Sequence, residues 1–333
     1  MCLGLAEVLA NTTKHQVEAH LEQLIVTVQD ALCDDDQGVR EQAGSAFQML
    51  HRMVGAEAVD AVVPSLLRQL RGEKGNGGDG DESDEDESEN EDGGEGEEEE
   101  AHRREKALFG LCQVLRLRSR ELLPVVVGPL LKRPLPLAHI HALGTIAQAC
   151  PRDIHHVAHK ILPVVVAELC ALDNTILTTT NDEEGGGGEA AAAAAAAVSK
   201  ARKHRDALDA AACLVVSSVT TNGIQFFGVE LLKSLQTTTA STATTAVGAG
   251  GAGDAAGADS CSGGVADSSS SAAASTRKWG VRLLEHLFAS NKSADYLELV
   301  PMFLKDLVKL FVDKNRGVLD AVRERVWFGL SFS

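Results

Sequence analysis

Glu121-Leu122-Leu123-Pro124 returns 39 residues later as Lys160-Ile161-Leu162-Pro163. The same figure, apolar residues closed by a proline, stands at Ala61-Val62-Val63-Pro64 and at Glu298-Leu299-Val300-Pro301. No insert separates Pro124 from Pro163, so their spacing is a repeat length. Pro163 and Pro301 are 138 residues apart. Removing roughly 56 low-complexity residues between them leaves two units of about 41. Pro64 and Pro124 are 60 apart, and subtracting about 28 insert residues leaves one slightly short unit. An internal proline deletes one i→i−4 hydrogen bond and kinks the helix that carries it. The repeat therefore predicts one bent helix per unit.

The residues around these prolines carry helical periodicity. Leu21, Leu24, Ile25, Val28 and Leu32 fall on one helix face, since apolar residues three and four apart align along it. Val39, Ala43, Ala46, Phe47 and Leu50 make a second stripe, and Val59, Val62, Val63, Leu66 and Leu70 a third. The pairing recurs as 122–131 with 140–149, 154–169 with 208–219, and 296–311 with 318–327. No stretch alternates with period 2 long enough to make a strand. Paired helices repeating at about 40 residues are the HEAT pattern, and the period is too long for a 34-residue tetratricopeptide array. The expected fold is all-α, a HEAT-repeat α-solenoid of about six helix pairs. The turn Asp34-Asp35-Asp36-Gln37-Gly38-Val39-Arg40 fits, with acidic groups placed to cap the second helix and Arg40 free to pair with such an Asp in a neighbouring unit. Asp313-Lys314-Asn315-Arg316-Gly317-Val318 echoes it.

Three stretches read as disordered inserts: 72–101, 173–188 and 236–275. The first is Gly-rich, then acidic; the second runs through Thr into four glycines; the third is nearly all Thr, Ala, Gly and Ser. None has apolar surface enough to offset the entropy of ordering. The HEAT repeats then occupy 1–71, 102–172, 189–235 and 276–333. Ala190 to Ala197 propagate a helix well and lengthen the one that follows. The net charge of −17 is local, because Asp79 to Glu100 holds 15 acidic residues without a Lys or Arg. The folded remainder is close to neutral, so acidity says little about its partners. The helix at Leu3 to Ala10 has no partner, and the chain finishes on Trp327-Phe328-Gly329-Leu330. Both features predict uncapped apolar ends, as in a piece of a longer array.

The seven cysteines have no C-x-x-C spacing and read as small buried thiols in a reducing compartment. The opening residues lack the basic start and cleavage pattern of a signal peptide. The longest apolar runs, 122–131 and 161–172, read as too short to cross a bilayer. These features predict a cytoplasmic protein without a membrane contact. Chemistry is sparse. Gly248, Gly250 and Gly253 spell G-x-G-x-x-G but follow no strand and open no helix, so they do not predict a phosphate loop. His155 and His159, four apart in a cluster with His139, His141 and His156, lack a third ligand at matching spacing for a metal. No nucleophile–base grouping appears. The sequence predicts no catalytic residue, no cofactor, no metal and no small-molecule substrate.

Two basic clusters remain. Arg116, Arg118, Arg120, Lys132 and Arg133 flank one inter-helix loop with only Glu121 opposing them, and Lys200, Arg202, Lys203 and Arg205 start a later helix. The first is the candidate contact for a ribosome or an acidic partner. With few exposed aromatics to stack bases, any RNA contact is expected at phosphates. Ser83 before Asp84-Glu85-Asp86 and Ser88 before Glu89 are candidate sites for an acid-directed kinase.

Gly4-Leu5-Ala6-Glu7-Val8, then Ala31-Leu32-Cys33-Asp34 and Val39-Arg40-Glu41-Gln42-Ala43-Gly44, open an ordered series of further matches. It continues with Val63-Pro64-Ser65-Leu66-Leu67-Arg68-Gln69-Leu70, Ala107-Leu108-Phe109-Gly110-Leu111, Ser119-Arg120-Glu121-Leu122-Leu123-Pro124 and Ser293-Ala294-Asp295-Tyr296. The series resembles the general control non-derepressible translational activators, a family of very large HEAT proteins. It covers the helical segments, and the three inserts are absent from the family pattern. The resemblance implies a non-enzymatic scaffold that associates with ribosomes and with the kinase of the initiation factor 2 alpha subunit. It implies activation of that kinase in amino-acid starvation and on stalled ribosomes. It also implies a place in the C-terminal half of the family's chain, after the region similar to fungal elongation factor 3. That place is beside or just before the segment binding the kinase's RWD domain. None of the family's kinase-contacting residues is carried over to a position of this chain. A nuclear transport or microtubule-binding HEAT adaptor is the competing expectation, since one fold serves many functions.

Overall fold

A computed structural model describes residues 4–72, 95–182, 189–243, 265–292, 297–310, 313 and 315–323. The described residues are helices, turns and bends without a strand, an all-α fold of HEAT-type helix pairs. The chain divides into two compact units, Met1–Leu130 and Leu131–Ser333.

The first unit holds α1 (Leu5–Ala10), α2 (Lys14–Ala19), α3 (Leu21–Leu32), α4 (Gln37–Val54), α5 (Ala56–Arg71) and α6 (Glu95–Leu130). The α3 stripe buries Val28 and Leu32 against the Ala43, Ala46, Phe47 and Leu50 face of α4. The Asp36 carboxylate accepts the Val39 N–H at 3.0 Å, a cap that contributes about 1 kcal/mol to α4. Gly55 and Gly72 bound α5 with φ of 77° and 74°, the left-handed region that glycine enters without steric cost. α5 packs its Val59, Val62, Val63, Leu66 and Leu70 face on α6.

Three expectations change here. α1 is not an orphan: it packs on α4 and buries Leu9. Helix α6 reaches back into the acidic insert as far as Glu95. Glu99 pairs with Arg103 and Glu100 with Arg104, each four residues on. Acidic groups leading basic ones suit the positive start of a helix, a pattern that composition alone conceals. Finally, the bend in α6 falls at Arg118 (φ −143°, ψ 48°), ahead of Pro124 and Pro129.

The second unit holds α7 (Leu137–Ala149), a 3-10 turn (Ile154–Val157), α8 (Ala158–Asp182), α9 (Glu189–Ser217), α10 (Thr221–Ala243) and α11 (Val265–Ala289). A second 3-10 turn (Leu297–Leu299), α12 (Val300–Leu310) and α13 (Arg316–Ala321) complete it. α9 lies against α7 and α8, and α11 against α10, α8 and α9. Phe303 of α12 meets Phe288 of α11 edge-on, with ring centres 5.4 Å apart. Pro301 is the second residue of α12, where its missing N–H has no intrahelical acceptor to lose, so it bends nothing.

The other two inserts are also narrower than composition predicts. α8 runs through Thr178 to Asp182, with the hydroxyls of Thr175, Thr178 and Thr179 donating back to main-chain carbonyls and Ile176 buried. α10 extends to Ala243 and α11 begins at Val265, burying Ala274. α9 starts at Glu189, so the polyalanine run forms its first turns. The rest of the three inserts (73–94, 183–188 and 244–264), the G-x-G-x-x-G glycines and Trp327-Phe328-Gly329-Leu330 lie outside the described residues. By length and hydropathy, 154–179 is long enough to cross a membrane, contrary to the sequence expectation. Its Ile161, Leu162, Val165, Val166 and Leu169 are buried beneath neighbouring helices.

Candidate functional site

The basic edge predicted around Pro124 divides at residue 130, between the two units. In the first unit Arg116 and Arg120 are exposed, flanking the bend at Arg118. Arg118 is half-buried and donates to Glu121 at 2.8 Å. In the second unit Lys132 is exposed, and Arg133 pairs with Glu168 of α8 at 3.0 Å. Glu168 is thus a second opposing carboxylate that the linear sequence hid, only 13% exposed and 35 residues away in the chain. Arg116, Arg120 and Lys132 form no ion pair among the described residues. Ser83 and Ser88 lie outside the described residues.

Arg40 also differs from expectation. Its guanidinium donates to the carbonyl oxygens of Asp34 and Asp35, both at 2.8 Å, and lies 5.1 Å from the centre of the Phe109 ring. The Asp35 carboxylate takes Lys106 of α6 at 2.9 Å and His102 at 3.3 Å. The hydrogen bond from Lys106 holds this carboxyl below its ordinary range. The echoed turn caps α13 through Asn315, whose side chain accepts the Val318 N–H at 3.3 Å. There Asp313 receives Arg277 of α11 at 2.6 Å.

In the second unit, Asp173 accepts from the Trp279 indole at 2.7 Å and from Ser275 at 3.0 Å, and lies 3.6 Å from Arg205. Beside it Arg282 grips Asp209 through Nε at 2.9 Å and through a second, shorter bond. Asp173, Trp279, Arg205, Arg282 and Asp209 line a cavity of about 240 Å³ together with Asp206 and Lys278. Of the second basic cluster, Arg205 is tied to Asp173 and Asp206, while Lys200, Arg202 and Lys203 remain exposed.

The histidine cluster does not gather as a ligand set. His139 is buried in α7, and His155 stacks on Phe226 of α10 with ring centres 5.2 Å apart and 28° between planes. Among the described residues no group of three His, Cys, Asp or Glu could hold a metal ion. Burial pushes the Cys33, Cys112 and Cys213 thiols up to about 11, so none is a ready thiolate. Phe226, 54% exposed, is an outward aromatic that the sequence reading overlooked. The signal was available: Phe226 and Phe227 are adjacent on one helix, and side chains one residue apart cannot share a face.

Residues 253–326, which include α11, α12 and α13, match the family model described as stalled ribosome sensor GCN1-like, HEAT repeats. That stretch is similar to GCN1-like HEAT repeats. The chain is 31% identical over 170 residues to the human stalled ribosome sensor GCN1. It is 29% identical over 166 residues to the eIF-2-alpha kinase activator GCN1 of Dictyostelium discoideum, and 25% over 169 residues to that of Saccharomyces cerevisiae. These matches take in 51%, 50% and 51% of this chain and 5% of each relative. The chain therefore spans a small fraction of the length of these GCN1 proteins.

Proposed function

We propose that this chain is a non-enzymatic stretch of HEAT scaffold that works in the cytoplasm within a GCN1-like activator. It presents helix-pair surfaces to the ribosome and to the kinase of the initiation factor 2 alpha subunit, in amino-acid starvation and ribosome stalling. The observation that carries this reading is the GCN1-like HEAT match over 253–326, on helices that pack as HEAT pairs. The geometry supports a binding role, because part-buried ion pairs of the second unit join its elements to one another. Arg282–Asp209, Arg205–Asp173 and Arg277–Asp313 all tie one element to another. Such ties keep a repeat surface in fixed register for a partner. Arg116, Arg120 and Lys132 are the cations we assign to an anionic partner, with phosphates of RNA as the chemistry they fit.

The test is recovery of partners by the tagged chain from amino-acid-starved cells. Enrichment of ribosomal proteins together with the kinase is the expected result. Recovery of tubulin or transport cargo in their place overturns the reading in favour of the adaptor alternative.

A further inference from the structure

We propose that the exposed ring of Phe226, backed by His155 from the segment that also carries the exposed Arg152 and Lys160, is a stacking platform for an unpaired base of single-stranded RNA. The platform is built from two elements of the second unit. Gly223 lies one turn before Phe226 on α10, and a Cβ there would fall 3.0 Å from the Cβ of His155. Its bare backbone lets the 3-10 turn Ile154–Val157 close on α10, which stacks the His155 imidazole on Phe226 with ring centres 5.2 Å apart and 28° between planes. His156 continues the cluster, its ring centre 4.1 Å from that of His155 and its Nε2 3.9 Å from Asp153. One face of Phe226 is thus supported, and the residue is still 54% exposed. An apolar ring held at one face and open to water elsewhere offers its π surface to a second planar group.

The surroundings select which planar group. Arg152, His156, His159 and Lys160 are exposed around the 3-10 turn and the first turn of α8, with Asp153 the one carboxylate among them. On α10, the exposed Asn222 and Gln225 flank Phe226, and Asn222 shares its face at i,i+4. Stacking surface, amides for base edges and cations for phosphates are the three parts of single-strand recognition. Helical-repeat proteins that read RNA place two or three such side chains per base on one helix. An apolar protein partner has no use for the amides and cations exposed on these two elements.

The inference goes beyond the scaffold reading, which ribosome recovery tests separately. Its own test is fluorescence anisotropy of the full chain with a labelled, unstructured oligouridylate and with an RNA duplex of equal length. The single strand should bind more tightly than the duplex. Phe226→Ala should weaken it at least about fivefold, the low end of what base stacking contributes, while Phe226→Trp should retain binding. Arg152→Glu with Lys160→Glu should flatten the salt dependence. Equal affinity for strand and duplex, or full binding by Phe226→Ala, would overturn the proposal. So would ribosome binding that depends on Phe226 when oligouridylate does not bind at all, which would assign the surface to a protein. Phe226→Trp keeps the test decisive if the alanine variant folds poorly.

Discussion

The indole N–H of Trp279 donates to the carboxylate of Asp173 across 2.7 Å, tying α11 to α8 over 106 residues of chain. Asp173 stands at the first position of a segment whose composition reads as an insert, yet its side chain is 15% exposed and also receives Ser275 and Arg205. Replacing it leaves two part-buried donors without their acceptor. Asp173→Ala should therefore destabilise the second unit by about 2 kcal/mol, since an orphaned buried donor costs its desolvation. Denaturant unfolding of the variant checks this, and an unchanged midpoint would make the network ornamental.

Gly110 marks a comparable joint in the first unit. A Cβ at that position would sit 2.7 Å from the Leu32 carbonyl oxygen, so only glycine lets α6 approach α3 this closely. Gly110→Ala forces backbone apart and should lower stability by about 1–3 kcal/mol, read as a drop in melting temperature. Gly128 has nothing near its Cβ direction. Gly128→Ala should be neutral or slightly stabilising, given the helix preference of alanine.

Burial governs the thiols. Cys112 is raised from 9.0 to about 11, by burial first and with Arg116 working in the opposite direction. A rise of that size reduces the thiolate fraction near neutral pH roughly hundredfold. Alkylation of Cys112 in the folded chain should be slower than that of a model thiol by at least this factor, and should accelerate on unfolding. Labelling at the model rate would show that the α6 interface opens.

His51 carries a pH dependence of defined sign. Burial, and then the charge of Arg118, lower its pKa below 6.5. The folded state thus prefers the neutral imidazole. Its stabilising contribution is complete above about pH 6.5 and is lost as pH falls through the folded pKa, because the unfolded chain takes the proton first. His51→Gln should flatten this part of the curve of melting temperature against pH. An unaltered curve would place the titration elsewhere.

Much of this architecture is legible in the linear sequence. The stripe of α5 buries every residue its period selects, that of α4 all but Val39, and that of α3 Val28 and Leu32, with Leu21, Leu24 and Ile25 half-buried. The insert boundaries are not legible in that way, because small and polar residues form helices when a distant partner holds them. Asp173 needs Trp279, and Ala274 needs the cover that α11 finds on α8. The basic edge was half legible. Residue type marks Arg116 and Arg120, but only folding reveals that Glu168 has claimed Arg133. Phe226 escaped notice because periodicity assigns an aromatic to the core by default.

The central claim is that this chain is a ribosome-contacting scaffold, and the basic residues give it a direct test. Arg133→Glu would press like charge on the nearly buried Glu168, so the informative variant reverses only Arg116, Arg120 and Lys132. Exposed charges contribute about 0–1 kcal/mol to stability, and the array should remain folded by circular dichroism. Co-sedimentation of the chain with purified ribosomes should weaken steeply as salt rises, through release of condensed counterions. The triple reversal should reduce binding roughly tenfold or more at low salt. Co-sedimentation that is absent, or that is indifferent both to salt and to the reversal, would contradict the account.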